Sequence, residues 1–286
     1  MKKVFKDEKN LLRPGWQVLL SAILGVLTTF IAMALFTDFQ INTNLSMFLI
    51  CFISYFAYFK LIYGKKLPRD LDIFNSPLSG LRKFLIGTFL GVLFFSVVML
   101  IAKLFHAYDF TVSPKIPVTA ILLGLVSQFI TGLSEELLVR GGFQHAFLKY
   151  GKWVALMAAS IIFSLLHVLN KGAALGSLIG VFLAAIFLGM LMYATNSISA
   201  CIGWHMAWNW TQGFLFGTNI SGTSGSKAIL QARATSDNIW LTGGDFGPEA
   251  SIACFIVLIL GSLALFIYGQ RKNKFNEYDR TIILTK

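Results

Sequence analysis

Long apolar runs dominate the chain, and its polar residues collect in the short stretches between them. A helix needs roughly 20 apolar residues to cross a hydrocarbon core of about 30 Å. Runs of that kind predict eight spans: Trp16 to Phe36, Ser46 to Tyr63, Phe84 to Phe105, Pro117 to about Tyr150, Trp153 to Leu169, Gly176 to Ala194, Ile198 to Phe216 and Ala250 to Tyr268. The fold expected is therefore all-α, a polytopic transmembrane helical bundle with about eight transmembrane helices. It forms a single domain over 1–286, with a core at 117–216 and short tails at 1–15 and 269–286. No internal repeat is visible. The one long connection, Gly217 to Glu249, runs about 33 residues rich in Gly, Ser and Thr, which reads as a lid or a mobile external loop.

Composition agrees with the pattern. The chain is 56% hydrophobic and 13% charged, with a mean hydropathy of +0.71, well above a soluble domain. A net charge of +11 invites a nucleic-acid reading, but the basic residues lie in runs between apolar segments and not interleaved on one surface. They fit membrane orientation instead. With eight spans, 19 of the 24 Lys and Arg fall on one side and 5 on the other, which places both termini in the cytoplasm. The basic N-terminus is followed by an apolar run with no small-residue cleavage pattern, so that run is a first span and not a removable signal. Cys51, Cys201 and Cys254 lie in apolar stretches without motif spacing and read as reduced packing residues.

Against this background the ionisable residues inside the apolar segments stand out, because each costs roughly 2.5 to 3.5 kcal/mol at the bilayer centre unless paired or functional. Three stretches carry them: "SEELLVRGGFQ" with Glu135, Glu136 and Arg140, "FSLLHVLN" with Phe163, His167 and Asn170, and "HMAWNW" with His205 and Asn209. Glu136 and Arg140 share a helix face at i, i+4 and read as an ion pair that braces the helix. Glu135 is rotated about 100° away, toward Gln128 and Thr131, and has no cationic partner in its own helix. Such a carboxylate suits a general base. A hairpin turning at Gly151 would bring Glu135 and His167 level, about 24 Å above the turn. His205 and Asn209, also i and i+4, share a face of the seventh helix.

The EExxxR, FxxxH and HxxxN motifs, in this order within apolar helices, resemble those of the CAAX-protease and bacteriocin-processing (CPBP or Abi) intramembrane endopeptidases, which include the type II CAAX prenyl endopeptidase. The resemblance spans about Thr131 to Asn209. It implies a peptide hydrolase in which Glu135 and His167 activate water, His205 and Asn209 form the oxyanion hole, and Glu136 and Arg140 support the site. A carboxylate and an imidazole suit the proton transfer, and an amide beside an imidazole supplies oxyanion donors. The partners implied are a peptide or membrane-protein substrate and the lipid bilayer, with no nucleic acid. No cofactor is expected. The alternative is Zn2+ held by Glu135, His167 and His205, although their spacing matches no compact zinc motif.

Other residues carry plainer readings. His106 and His145 are expected to be interfacial, Trp204, Trp208 and Trp210 to be packing or interface anchors, and Asn170 to support His167 or cap its helix. "GGDFGPEA" is explained by a helix starting after Pro248. Two rival functions remain. A transporter or proton relay would string its polar groups through both leaflets and show repeated halves, and a non-catalytic bacteriocin-immunity protein would not need Glu135. Lys, Ile and Phe usage suggests a bacterial cell membrane, where peptide precursors, leader peptides or membrane-bound regulators are more natural substrates than prenylated proteins.

Overall fold

Helices of mostly Leu, Ile, Val and Phe run back and forth between the two ends of a bundle. The structure, a computed structural model, describes residues 5, 12–36, 40–64, 67–116, 118–223, 227–276 and 278; the side chains of 26, 28–36, 40–48, 50 and 51 are also outside the description. Most of the tail 1–15, Cys51's side chain and residues 279–286 therefore lie outside it. The long helices are α1 (Pro14–Phe36), α2 (Gln40–Tyr63), α3 (Pro77–Leu104), α4 (Val118–Glu136), α5 (Lys152–Leu166), α6 (Leu175–Thr195), α7 (Ile198–Trp210) and α8 (Ile252–Arg271). Among the described residues, four helices are long and apolar enough to cross a membrane: α3, α4 with its continuation to Tyr150, α6 and α8. Among the described residues, the Phe52–Tyr63 part of α2 and all of α5 are apolar stretches of fewer than 18 residues. This is a mostly helical membrane protein.

Hydrogen bonds define the two ends. At one, His145 meets Tyr63 and Asp70, Tyr278 donates to Asp70, Lys83 to the Asn196 carbonyl, and Tyr193 to the Lys152 carbonyl. This end gathers Lys83, Lys149, Lys152 and Arg271. At the other, Tyr108 donates to the Thr242 carbonyl, Thr235 to the His106 carbonyl and Ser113 to the Ala228 carbonyl. That end carries a feature the all-α expectation omitted. Tyr108–Val112 (β1) pairs antiparallel with Leu230–Ala234 (β2), with Tyr108 opposite Ala234 and Val112 opposite Leu230. The long connection thus holds a strand and, further on, short helical turns at Ile239–Thr242, Gly244–Phe246 and Pro248–Ala250.

The helix carrying the first motif does not stay regular. After Glu136 it widens into a π-helix over Leu137–Gln144, returns to α for His145–Phe147 and tightens to a 3-10 turn at Leu148–Tyr150. The hairpin expected at Gly151 is present, and Gly151 adopts φ +104°, a conformation open to glycine at little cost. The helix after it is shorter than its apolar run: α5 stops at Leu166, and His167 sits just past its end with φ −94° and ψ 2°.

Small residues fix how α7 sits among its neighbours. On α3, Gly87 and Gly91 form a GxxxG face, and a Cβ on Gly87 would stand 2.0 Å from the Ala200 carbonyl oxygen. From the other side, a Cβ on Gly203 would stand 2.2 Å from the Phe84 carbonyl oxygen. Without a hydrophobic drive between helices in lipid, such close backbone approach is what holds them together. Gly132 of α4 likewise faces the backbone of Ile202 and Met206, which brings Glu136, one turn further along α4, up to His205. At its start α7 is anchored by Ser197, whose hydroxyl accepts from Ala200 N–H and donates to buried Asp72.

His145, expected at the interface, lies at the basic end of the bundle and is buried there among other side chains: Nε2 lies 2.9 Å from Asp70 Oδ2 and Nδ1 lies 3.1 Å from the Tyr63 hydroxyl. Its partner Asp70 is 75 residues away in sequence, beyond the reach of a local pattern. His106 is exposed at the turn after α3, with φ +54°.

Candidate active site

A single residue organises the site's charges. Glu136 is fully buried, and its Oε1 accepts hydrogen bonds from Arg140 Nη1 (3.2 Å) and from His205 Nδ1 (2.8 Å). Arg140 Nε also lies 3.2 Å from Oε2, but off hydrogen-bond alignment, since both atoms lack a directed partner. The pair is held by charge and by the one Nη1 bond. Arg140 continues outward, donating from Nη2 to the Ala185 carbonyl at 2.9 Å and stacking its guanidinium over the Phe163 ring at 5.2 Å. The i, i+4 ion pair read from sequence is therefore present, and it does more than brace α4: it ties α4 to α6, α5 and α7.

His205 is fixed through this carboxylate. With Nδ1–H donating to Glu136, its other nitrogen, Nε2, faces Glu135 Oε2 at 3.7 Å. That nitrogen carries a hydrogen only when the ring is an imidazolium, whose charge the two glutamates match. Glu135 is the more open of the two, with its side chain 34% exposed.

His167 is oriented differently. Its Nδ1 lies 2.9 Å from the Phe163 carbonyl oxygen, an acceptor only, so the proton sits on Nδ1 and the Nε2 lone pair is left as a base. Phe163 thereby has two functions, since its ring packs edge-on against both His167 (centroids 4.7 Å apart) and His205 (6.4 Å). Asn209 is buried one turn beyond His205.

Glu135, His167, His205 and Asn209 all line one cavity of about 290 Å³, together with Gln128, Thr131, Trp204 and Trp208. The structure thus brings the four expected site residues to one space. The Glu135 carboxylate approaches His205 and makes no hydrogen bond or ion pair with His167 among the described residues. Trp204 and Trp208, expected as packing residues, are buried and stacked at 4.7 Å while also forming part of the cavity wall.

One residue in the wall was missed, and another has a different partner from those expected. Buried Glu249 accepts from Trp208 Nε1 (3.2 Å), from Ser221 N–H (2.9 Å) and from the Ser221 hydroxyl (2.8 Å). Asn170 neither supports His167 through its side chain nor caps α5; its Nδ2 donates to the Ser221 carbonyl at 2.9 Å. Between them they clamp the 217–223 loop as the cavity's roof. The signal for Glu249 was present, an acidic residue at the start of an apolar helix, but local spacing does not show that it turns inward. Pro248 begins only a 3-10 turn, and α8 is capped by Ser251, whose hydroxyl accepts from Cys254 N–H.

A zinc ion on Glu135, His167 and His205 would need three donors aimed at one point. His205 would have to use Nε2, because Nδ1 is committed to Glu136, and no group of three or more His, Cys, Asp or Glu among the described residues is placed to hold a metal ion. Cys254, which also lines the cavity, and Cys201 are buried free thiols.

Comparison with protein families matches the part of the chain that carries these residues. Residues 117–211 are Rce1-like, matching the model of the type II CAAX prenyl endopeptidase Rce1-like family. The Rce1-like region is roughly a third of the 286 residues. It runs from the start of α4 to the end of α7 and includes Glu135, Glu136, Arg140, His167, His205 and Asn209, whereas Ser221 and Glu249 lie beyond it. No curated protein matches the chain. No solved structure matches it either.

Proposed function

We propose that the protein is an eight-span intramembrane endopeptidase that works without a metal. The observation carrying this reading is the meeting of Glu135, His167, His205 and Asn209 around one cavity inside an Rce1-like region. Water in that cavity is activated by proton transfer to Glu135 or to the Nε2 lone pair of His167 as its oxygen attacks a peptide carbonyl. The oxyanion that forms accepts from the Asn209 amide and from Nε2–H of the His205 imidazolium. The proton taken from water is then delivered to the leaving amine as the C–N bond breaks. Glu136 and Arg140 do not touch substrate; they hold His205 in the orientation and charge state this requires.

The basic end, with the hairpin at Gly151, faces the cytoplasm in this reading, as the 19 to 5 distribution of Lys and Arg implies. Substrates are peptides or membrane proteins. The test is peptide hydrolysis by the purified full chain, with Glu135→Ala and His167→Ala as inserted, folded controls. Cleavage retained in either variant would remove that residue from the mechanism.

A further inference from the structure

The GGDFGPEA stretch before α8 does not start that helix; it places one carboxylate. Gly247 takes φ +111°, and a Cβ there would stand 2.3 Å from the Asn219 carbonyl oxygen. Such a turn admits little but glycine. On α6, a Cβ on Gly180 would stand 2.1 Å from the Glu249 carbonyl oxygen. The stretch thus holds Glu249 against α6, only 8% exposed, in the wall of the cavity that Glu135, His167, His205 and Asn209 also line.

The surroundings of Glu249 are polar but carry no positive charge. Trp208 Nε1–H donates to Oε1, and the Ser221 N–H and hydroxyl donate to Oε2. Both oxygens therefore accept from N–H groups that can only donate, the arrangement of an ionised carboxylate. No Lys, Arg or His among the described residues pairs with it. Lys171, whose backbone packs against Gly222, is exposed. Glu136 is the contrast, since Arg140 and His205 match its charge.

A buried carboxylate in a membrane protein needs a cationic partner or a function. A carboxylate has about four acceptor positions, and the three bonds from Trp208 and Ser221 leave one on Oε1. Trp208 and Ser221 line the same cavity as the proposed base and oxyanion donors. A compact space of about 290 Å³ is roughly 8 Å across, the length of about two residues of extended peptide.

We propose that Glu249 is a specificity residue that takes a positively charged N–H group of the substrate peptide close to the bond that is cut. That group is a Lys or Arg side chain or a free α-ammonium, within about two residues of the bond. Glu249 thereby selects what the site cuts and takes no part in the proton transfers. The inference rests on the peptidase reading above, and the experiment separates the two. One cleavable peptide is made with Lys, Met or Glu at each of the two positions on either side of the bond, with a free or an acetylated N-terminus. Values of kcat/KM are measured for the purified full-length protein as wild type, Glu135→Gln, Glu249→Gln and Ser221→Gly. At one position Lys should be cut about ten- to a hundredfold faster than Met, the effect of one hydrogen bond between charged groups, and Glu more slowly still. A preference of that size for the free over the acetylated N-terminus assigns the cation to the α-ammonium instead. Glu249→Gln keeps an acceptor oxygen but no charge, and should bring the ratio to near one. Ser221→Gly loosens the roof but leaves the charge, and should keep it. Each ratio is taken within one variant, so a partly unfolded sample does not alter it. Glu135-dependent cleavage without any preference for positive charge in the wild type, a preference that survives Glu249→Gln, or one lost equally in Ser221→Gly overturns the subsite and leaves the peptidase standing. Absence of Glu135-dependent cleavage of every peptide overturns the peptidase reading and the subsite with it.

Discussion

Glu136 and His205 lie 69 residues apart in sequence and 2.8 Å apart in space, joined Oε1 to Nδ1 within a buried triad completed by Arg140. The bond decides which nitrogen of His205 faces the cavity and links the ion pair of α4 to the proposed oxyanion hole on α7. Removing either charge of the Glu136–Arg140 pair strands the other in the interior, which costs about 3–5 kcal/mol. Glu136→Ala and Arg140→Ala should therefore lower the thermal stability of the protein in detergent sharply. Glu136→Gln should act differently. It leaves the Arg140 charge without its partner too, but it keeps an oxygen to accept from His205 Nδ1–H and Arg140 Nη1, so it should destabilise less than Glu136→Ala while losing most peptidase activity with the charge that supports an imidazolium.

The roof makes a second prediction. Glu249→Ala removes three hydrogen bonds at once, from Trp208 and twice from Ser221, and leaves a buried indole N–H unpaired, at a cost of about 1–3 kcal/mol. The expected outcome is a shifted tryptophan fluorescence spectrum and faster proteolysis within 217–223. Unchanged spectra and cleavage patterns would show that the loop is held by other contacts.

Much of this arrangement was legible beforehand, and the limits follow from distance along the chain. The apolar runs placed most long helices to within a few residues; α3 starts at Pro77 instead of Phe84 because its first turns carry Arg82 and Lys83 at the basic end, α2 starts at Gln40 instead of Ser46, and α7 gives way to a π-helix after Trp210. The i, i+4 spacing showed the Glu136–Arg140 pair, and helix arithmetic about Gly151 brought His167 to the same cavity as Glu135. What stayed hidden depends on partners far away in sequence. The 69-residue bond to His205, the Glu249 clamp on Ser221 and the β1–β2 pairing all join segments that no local period relates. The π-helix after Glu136 was equally invisible, since its apolar and small residues fit an α-helix as well.

Packing of α3 against α7 gives a third prediction. Gly87→Leu or Gly203→Val would drive a side chain into backbone that already stands within about 2.2 Å of an ideal Cβ. The helices must part, at about 1–3 kcal/mol or more. Both variants should show a lowered unfolding temperature, with activity falling in parallel because His205 moves with α7. Leu93→Ala on the same helix, at an exposed position, should leave both unchanged.

The basic end carries a pH dependence of its own. Burial opposes ionisation of Asp70, but the charge of His145 beside it, together with hydrogen bonds from His145 and Tyr278, outweighs it and holds the carboxyl below its ordinary value of 3.8. A carboxyl depressed in the folded state contributes stability that is complete above its unfolded value and is lost as pH falls through the folded one. Asp70→Asn should therefore be less stable than the wild type at neutral pH, with the difference shrinking only below about pH 4. A difference that instead vanishes between pH 5 and 7 would assign the effect to another group. The readout is thermal unfolding across pH, with protease accessibility of the segment at Tyr278 as a local check.

The most direct test of the central claim is the rate of peptide cleavage by purified full-length protein held in a strong metal chelator, wild type against Glu135→Gln. A general base contributes about 10²–10⁴-fold, so the account predicts undiminished cleavage by the chelated wild type and a loss of that order in the variant. Cleavage by Glu135→Gln at the wild-type rate, or wild-type activity abolished by the chelator, would contradict it.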